Sequence, residues 1–331
     1  MTEKLPIGPT LGTVTFRARV LDFVAGNFSI VSLAILIVVS TMMSPHFLTT
    51  ENVFNVLRQW TMVGLLAIGM TYVIMTGGID LSGGSILALS AVSGAILLPL
   101  VGTPLMILIV PLIGAACGYV NGAIITWGRV PPFIATLGMM TAARGLALTL
   151  CDGRTIQAIL PPEFVTIFGR GYLGPIPVAV LLTGAIFILA GVVLKYTRYG
   201  RNVALVGDNE LGAHRAGIQV DGVKRGVYVL SGTLASVAGL IFLGRLGVGE
   251  PTAGAMFELS AIAAVVIGGT PFIGGSGSVL LTFIGLAVIA LTYNILNLLS
   301  VTPYAQDIAR GTIIVIAVVF SMRRITMGKN K

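Results

Sequence analysis

The groups able to do chemistry in this chain are few, and their spacing rules out most of it. The nearest approach to a nucleotide site is Gly269, Gly274 and Ser276, which fit a phosphate loop except that its lysine position holds Gly275. Without that lysine a bound phosphate loses its point charge, and no basic residue stands nearby to replace it. No G-x-S-x-G elbow and no H-E-x-x-H pair occurs, and the two histidines, His46 and His214, are far apart in sequence with no carboxylates converging on them. Cys117 and Cys151 lie in or at the end of apolar runs with neither disulfide nor metal-ligand spacing. No catalytic group, metal or cofactor is therefore expected. What remains is a thin set of polar groups inside or beside apolar runs: Asp80, Asn121, Arg144, Asn294 and Asn297. An ion-coupled carrier needs ionisable groups at membrane depth. Arg144 is the one candidate placed deep, and no buried carboxylate relay is read.

The elements that must position these groups are membrane spans. The chain of 331 residues is 56% hydrophobic and 10% charged, with mean hydropathy +0.99. A soluble chain needs roughly 25% charged residues, so this one cannot cover itself in water. Its 43 glycines suit close helix packing in lipid. Apolar runs predict about ten spans in an all-α polytopic protein: residues 24–43, 53–76, 85–101, 105–127, 133–150, 176–194, 227–246, 259–273, 279–299 and 308–322. The run 259–273 is short and reads as a span or a re-entrant segment. No small-residue cleavage site follows the first run, so it reads as an uncleaved span. Residues 1–331 form one transmembrane domain with a polar N-terminal tail, 1–23.

The net charge of +8 is not a nucleic-acid signal, because its distribution follows the spans. Lys4, Arg17 and Arg19, then Arg129, then six cations within 195–225, then Arg323, Arg324, Lys329 and Lys331 occupy alternate connections. That positive-inside bias places both termini in the cytoplasm. The segment 195–225 is the longest water-compatible stretch between the two apolar halves, with a short helix expected within 208–217.

Two glycine segments echo each other. Gly77-Gly78 and Gly83-Gly84-Ser85 match Gly268-Gly269 and Gly274-Gly275-Ser276 in spacing, and each follows an apolar run. Six spans between them put both on one side. Paired glycines permit sharp backbone breaks, and broken elements in corresponding halves often flank a transport path; tight helix turns are the plainer reading. Asp80 reads as fixing its turn or touching a transported solute. Asn121, Asn294 and Asn297 read as interhelical hydrogen bonding or as path lining, and Arg144 as a path group or a partner of a helix-end carbonyl.

Several stretches together resemble a known family. Thr76-Gly77-Gly78-Ile79-Asp80-Leu81-Ser82, Asn121-Gly122, the run 132–138 (PFIATLG) with Arg144-Gly145, Tyr199-Gly200-Arg201 with Gly217-Ile218, and 261–270 (AIAAVVIGGT) are similar, in order, to the permease subunits of ribose-type ABC sugar importers. The likeness covers about residues 53–318. It implies the ABC importer permease fold, a bacterial inner membrane, separate ATPase subunits, a soluble extracytoplasmic binding protein and a second permease subunit. It also implies that the ATPase-coupling segment falls on Asp208, Asn209, Glu210, Gly212, Ala213, His214, Arg215 and Gly217. Gly83 stands where the family usually has a bulky apolar residue, and Pro271 where it usually has no proline. The rival expectation is an ion-coupled secondary transporter.

Overall fold

A computed structural model describes residues 27–329. The tail 1–23, the start of the first predicted span and Lys331 lie outside the described residues. The helices are α1 (Phe28–Met43), α2 (Thr50–Met75), α3 (Gly83–Thr126), α4 (Pro132–Leu150), α5 (Val178–Tyr196), α6 (Arg198–Asp208), α7 (Glu210–Arg215), α8 (Val220–Leu246), α9 (Phe257–Ile267), α10 (Val279–Leu298) and α11 (Pro303–Lys329). A short helical turn, Pro162–Phe164, runs into a π-helical turn, Val165–Gly169, and there are two short antiparallel pairs: β1 (Ile156–Gln157) with β4 (Val248–Gly249), and β2 (Tyr172–Leu173) with β3 (Ile176–Pro177).

Among the described residues six helices are long and apolar enough to cross a membrane: α2, α3, α4, α5, α8 and α10. The expectation of about ten crossings is met only in part. Runs 85–101 and 105–127 form one 44-residue element, but Gly102 breaks it at φ 75° between Pro99 and Pro104. Proline removes a helical N–H and glycine takes the left-handed turn. The run 259–273 falls on α9, whose 11 residues, Phe257–Ile267, make about 16 Å of helix, well short of a bilayer core of about 30 Å. Its remainder, from Gly268 onward, is turn.

The core is α2, α3 and α8. Thr49 caps α2 by accepting the Asn52 N–H, and Glu51 adds charge at its positive end. Beyond Val56, burial closes round the helix, with Leu65, Ala67, Ile68, Tyr72, Val73 and Ile74 fully buried. Helices α3 and α8 meet along a row of small residues four apart: Gly114, Gly118 and Gly122. A Cβ at Gly118 would lie 2.1 Å from the Tyr228 carbonyl oxygen and one at Gly114 would lie 2.2 Å from that of Gly232. Only hydrogen fits there. In lipid, where apolar burial drives little association, this close approach is what binds one helix to another.

Candidate functional site

The two glycine segments meet in space. Helix α2 ends with the Gly78 N–H bonded to the Val73 carbonyl and Gly77 at φ 76°. Helix α9 ends the same way, with the Thr270 N–H on the Val265 carbonyl and Gly269 at φ 93°. Both are left-handed glycine caps. The structural equivalents are therefore Gly77 with Gly269, one position off the match of Gly77-Gly78 to Gly268-Gly269 suggested by spacing. The second half of the echo does not persist: Gly83 and Gly84 are the first turn of α3, whereas Gly274 and Gly275 sit in a turn at φ 86° and 83°. That turn lies on α2's end, with the Gly275 N–H donating to the Met75 carbonyl at 3.0 Å.

The central water-compatible segment is wedged onto this junction. Thr197 caps α6 and Asn209 caps α7, each accepting a backbone N–H from three residues on. Gly207, in the last turn of α6, packs so tightly that a Cβ there would lie 1.7 Å from the Met75 carbonyl oxygen and 2.6 Å from the Gly275 nitrogen. Asp208 touches Gly275. Beyond it, Glu210 pairs with Lys224 at 2.7 Å, tying α7 back to α8. Ala213 is buried beneath α7, while Leu211, His214 and Arg215 face outward. Gly217 turns the chain at φ 83°. Glu210, Leu211, His214, Asp221 and Arg225 line an open depression of about 790 Å³. On the inner side, the Glu210–Lys224 pair, Gly77, Gly78, Gly207 and Tyr228 line a polar cavity of about 260 Å³.

Asp80 lies at the centre of a buried polar cluster. One carboxylate oxygen accepts from the Ser82 N–H at 2.9 Å and the Ser82 hydroxyl at 2.6 Å; the other accepts from the Ser231 hydroxyl at 2.7 Å. Asn121 donates to the Ser82 oxygen at 2.9 Å. The group is 1% exposed. Its three donors come from its own turn and α8, with Asn121 of α3 behind. Tyr228 and the Asn121 carbonyl oxygen are buried beside it without a hydrogen-bond partner.

The remaining candidates lie elsewhere. Arg144 donates to the carbonyls of Pro251 (2.6 Å) and Ala253 (2.8 Å), so it clamps the 250–256 loop to α4. Asn294 exchanges hydrogen bonds with Asn52 of α2 at 2.7 and 2.9 Å, and Asn297 accepts from Gln306 of α11 at 2.8 Å. At Gly268 a Cβ would press on the Leu281 carbonyl at 2.6 Å, where α9 crosses α10. The structure thus brings Gly77 and Gly78 together with the 207–210 segment and the turn at Gly274-Gly275, with Asp80 and Asn121 adjacent through Tyr228, and leaves Arg144, Gly268, Gly269, Asn294 and Asn297 apart from that junction. Sequence reasoning missed Gly207, Ser231, Tyr228 and Asn52. Gly207 is one more glycine among 43, and Ser231 and Tyr228 have no local pattern.

Two loops far apart in sequence, 151–174 and 247–256, are joined. Strands β1 and β4 pair, and the Ala158 N–H donates to the Gly247 carbonyl. Thr155 and Thr252 both donate to Glu250; these bonds, Thr155's first, hold its carboxyl below the usual carboxylate range.

No solved structure matches the chain. Its sequence is 41% identical over 308 residues to the ribose import permease protein RbsC of Haemophilus influenzae, covering 90% of this chain and 94% of that protein. It is 43% identical over 293 residues to the protein of the same name in Bacillus subtilis, covering 88% and 91%. It is 36% identical over 296 residues to the D-allose transport system permease protein AlsC of Escherichia coli, covering 88% and 90%. The family described as "Branched-chain amino acid transport system / permease component" matches residues 52–318. With six helices long and apolar enough to cross a membrane among the described residues, the chain belongs to this family of multi-pass membrane permeases.

Proposed function

We propose that this chain is the membrane subunit of an ATP-driven sugar importer. It carries a monosaccharide such as ribose, or a related polyol, across the bacterial inner membrane. Separate ABC ATPases supply the energy, a soluble binding protein delivers the sugar, and a second permease, a copy or a paralogue, completes the path. Ten crossings with both termini in the cytoplasm belong to this reading: Gly102 divides α3 in two, and the short α9 with the turn after it is either the eighth crossing or a re-entrant segment covered by protein.

One observation carries the proposal. Gly207, at the base of the segment assigned to the ATPase, touches the ends of α2 and the turn after α9 at once. Closure of the ATPases would press on 208–217, with Leu211, His214 and Arg215 as the exposed contact. The load would pass through Gly207 into Met75 and Gly275 without a flexible link between. Helices α2 and α9 would then shift, and the side to which the path opens would change. Asp80, Asn121, Arg144, Gly77, Gly78, Gly268, Gly269, Asn294 and Asn297 act in this account as gating or path-framing residues rather than as chemical groups.

Reconstitution with candidate ATPase and binding-protein partners tests it, scored as sugar-dependent ATP hydrolysis. Replacing Glu210 and Arg215 by Ala together is expected to abolish sugar-stimulated hydrolysis and uptake while membrane insertion persists. Full stimulation in that double variant would refute the coupling role. Uptake by vesicles holding this chain alone, collapsed by a protonophore, would refute the ATP-driven reading altogether.

A further inference from the structure

A furrow between α5 and α10 reaches Met75 and Gly275 at one end, and its apolar walls have no part in the steps above. Phe187, Ile188, Val192, Leu280 and Phe283 wall it, and its volume is about 850 Å³. Ile188 is 71% exposed and Leu280 69%. On a soluble surface such a patch calls for a partner; in a bilayer its neighbour is an acyl chain. The lining follows α5 from Gly184 to Tyr196, a rise of about 18 Å, which matches one leaflet's share of a hydrocarbon core about 30 Å thick.

The far end of the furrow is cationic. Lys195 and Arg201 rim it, and no carboxylate lines it. Neither cation is in an ion pair among the described residues; Lys195 has only the Tyr196 ring, 5.4 Å away. Ser276 and Ser278 add hydroxyls. Helix α10 starts here, with Ser278 accepting the Leu281 N–H. The preceding N–H groups have no intrahelical partner, and the positive end of the helix favours an anion.

We propose that this furrow holds an anionic phospholipid. One acyl chain runs along Phe187 and Phe283, and the headgroup phosphate sits between Lys195, Arg201 and the start of α10. Unpaired cations at the end of a continuous apolar trough select an amphiphile of negative charge; a neutral lipid leaves them unpaired, and a free anion leaves the trough empty. The headgroup end includes Gly275, whose N–H holds the end of α2, so the lipid braces the junction that carries the coupling segment. This inference needs only that the chain lies in a membrane and is independent of the transported solute.

The test uses the purified full chain in detergent, with bound lipid counted by native mass spectrometry. Phosphatidylglycerol is expected to be retained in preference to phosphatidylcholine. The double variant Lys195→Gln/Arg201→Gln should bind phosphatidylglycerol about 30-fold more weakly, with phosphatidylcholine unchanged. Arg198→Gln, an exposed cation outside the furrow, should have no effect. Gly184→Leu should weaken both lipids, because nothing lies within 4 Å of its Cβ position and the added side chain fills the trough without straining the fold. Equal retention of the two lipids, or undiminished phosphatidylglycerol binding by the double variant, would overturn the proposal. Displacement of the lipid by millimolar glycerol 3-phosphate would also overturn it, by showing a site for soluble anions.

Discussion

Gly207 and Asp80 show how a single side chain, or its absence, can control a helix bundle. At Gly207 a methyl group would collide with the backbone of Met75 and Gly275, which cannot move aside as a flexible side chain could. Gly207→Ala is therefore expected to cost about 1–3 kcal/mol. It should also cut sugar-stimulated hydrolysis by the reconstituted complex, leaving the ATPases' basal rate intact; a variant with full stimulation and unchanged thermal stability would show the contact to be dispensable. Asp80 is a different kind of constraint, a buried carboxyl group held by hydrogen bonds from Ser82 and Ser231. Asp80→Ala strands the Ser82 and Ser231 donors in the interior, at about 1–3 kcal/mol for such loss. Asp80→Asn keeps an acceptor for Ser82, and the Ser231 hydroxyl can rotate to accept instead, so it should be the milder change. Thermal unfolding of the two variants in detergent checks the order, and equal losses would show that the charge itself matters more than the hydrogen bonds.

Between elements, close approach and loop closure are separate devices. The Gly114–Gly118–Gly122 row lets α3 lie backbone to backbone on α8, and the pairing of β1 with β4 ties two distant loops into one surface that Arg144 fastens to α4. Much of this architecture was legible beforehand, because apolar runs, alternating basic connections and glycine pairs are local signals. The helix inside 208–217 and the break between runs 85–101 and 105–127 belong to that class. The one-residue offset of the glycine caps was not legible: a cap is defined by which carbonyl accepts the final N–H, and spacing alone does not say. Nor was the burial of Asp80, since its donor Ser231 comes from α8, and Asn121, which donates to Ser82 behind it, from α3. The loop closure depends on Glu250, whose threonine hydrogen bonds favour the ionised form. Its contribution is complete above the usual carboxylate range, about pH 4, and disappears as pH falls through the lowered value. Hydrogen exchange across 248–256 should therefore rise only in acid, and Thr155→Val should move that rise to higher pH. A midpoint unaffected by Thr155→Val would remove Glu250 from the closure.

The coupling proposal depends on the direction in which the molecule crosses the membrane. Basic connections predict a cytoplasmic 195–225 segment. With the segment there, the contact of Gly207 with Met75 and Gly275 puts the end of α2 and the turn after α9 on the same side, and the joined loops at 151–174 and 247–258 are expected to face outward. Two exposed sites at opposite ends make the orientation measurable: Leu211 is 59% exposed on α7 and Ile159 is 99% exposed after β1. The natural thiols interfere little, since Cys151 is buried and Cys117 partly so; replacing both with Ser removes the remainder. In that background a membrane-impermeant maleimide should label Ile159→Cys in intact spheroplasts and Leu211→Cys only in inverted vesicles. The opposite pattern would put the handle on the wrong side of the membrane for a cytoplasmic ATPase. No choice of partner could then rescue the coupling scheme, because the force would have to arrive from a compartment that holds no ATP.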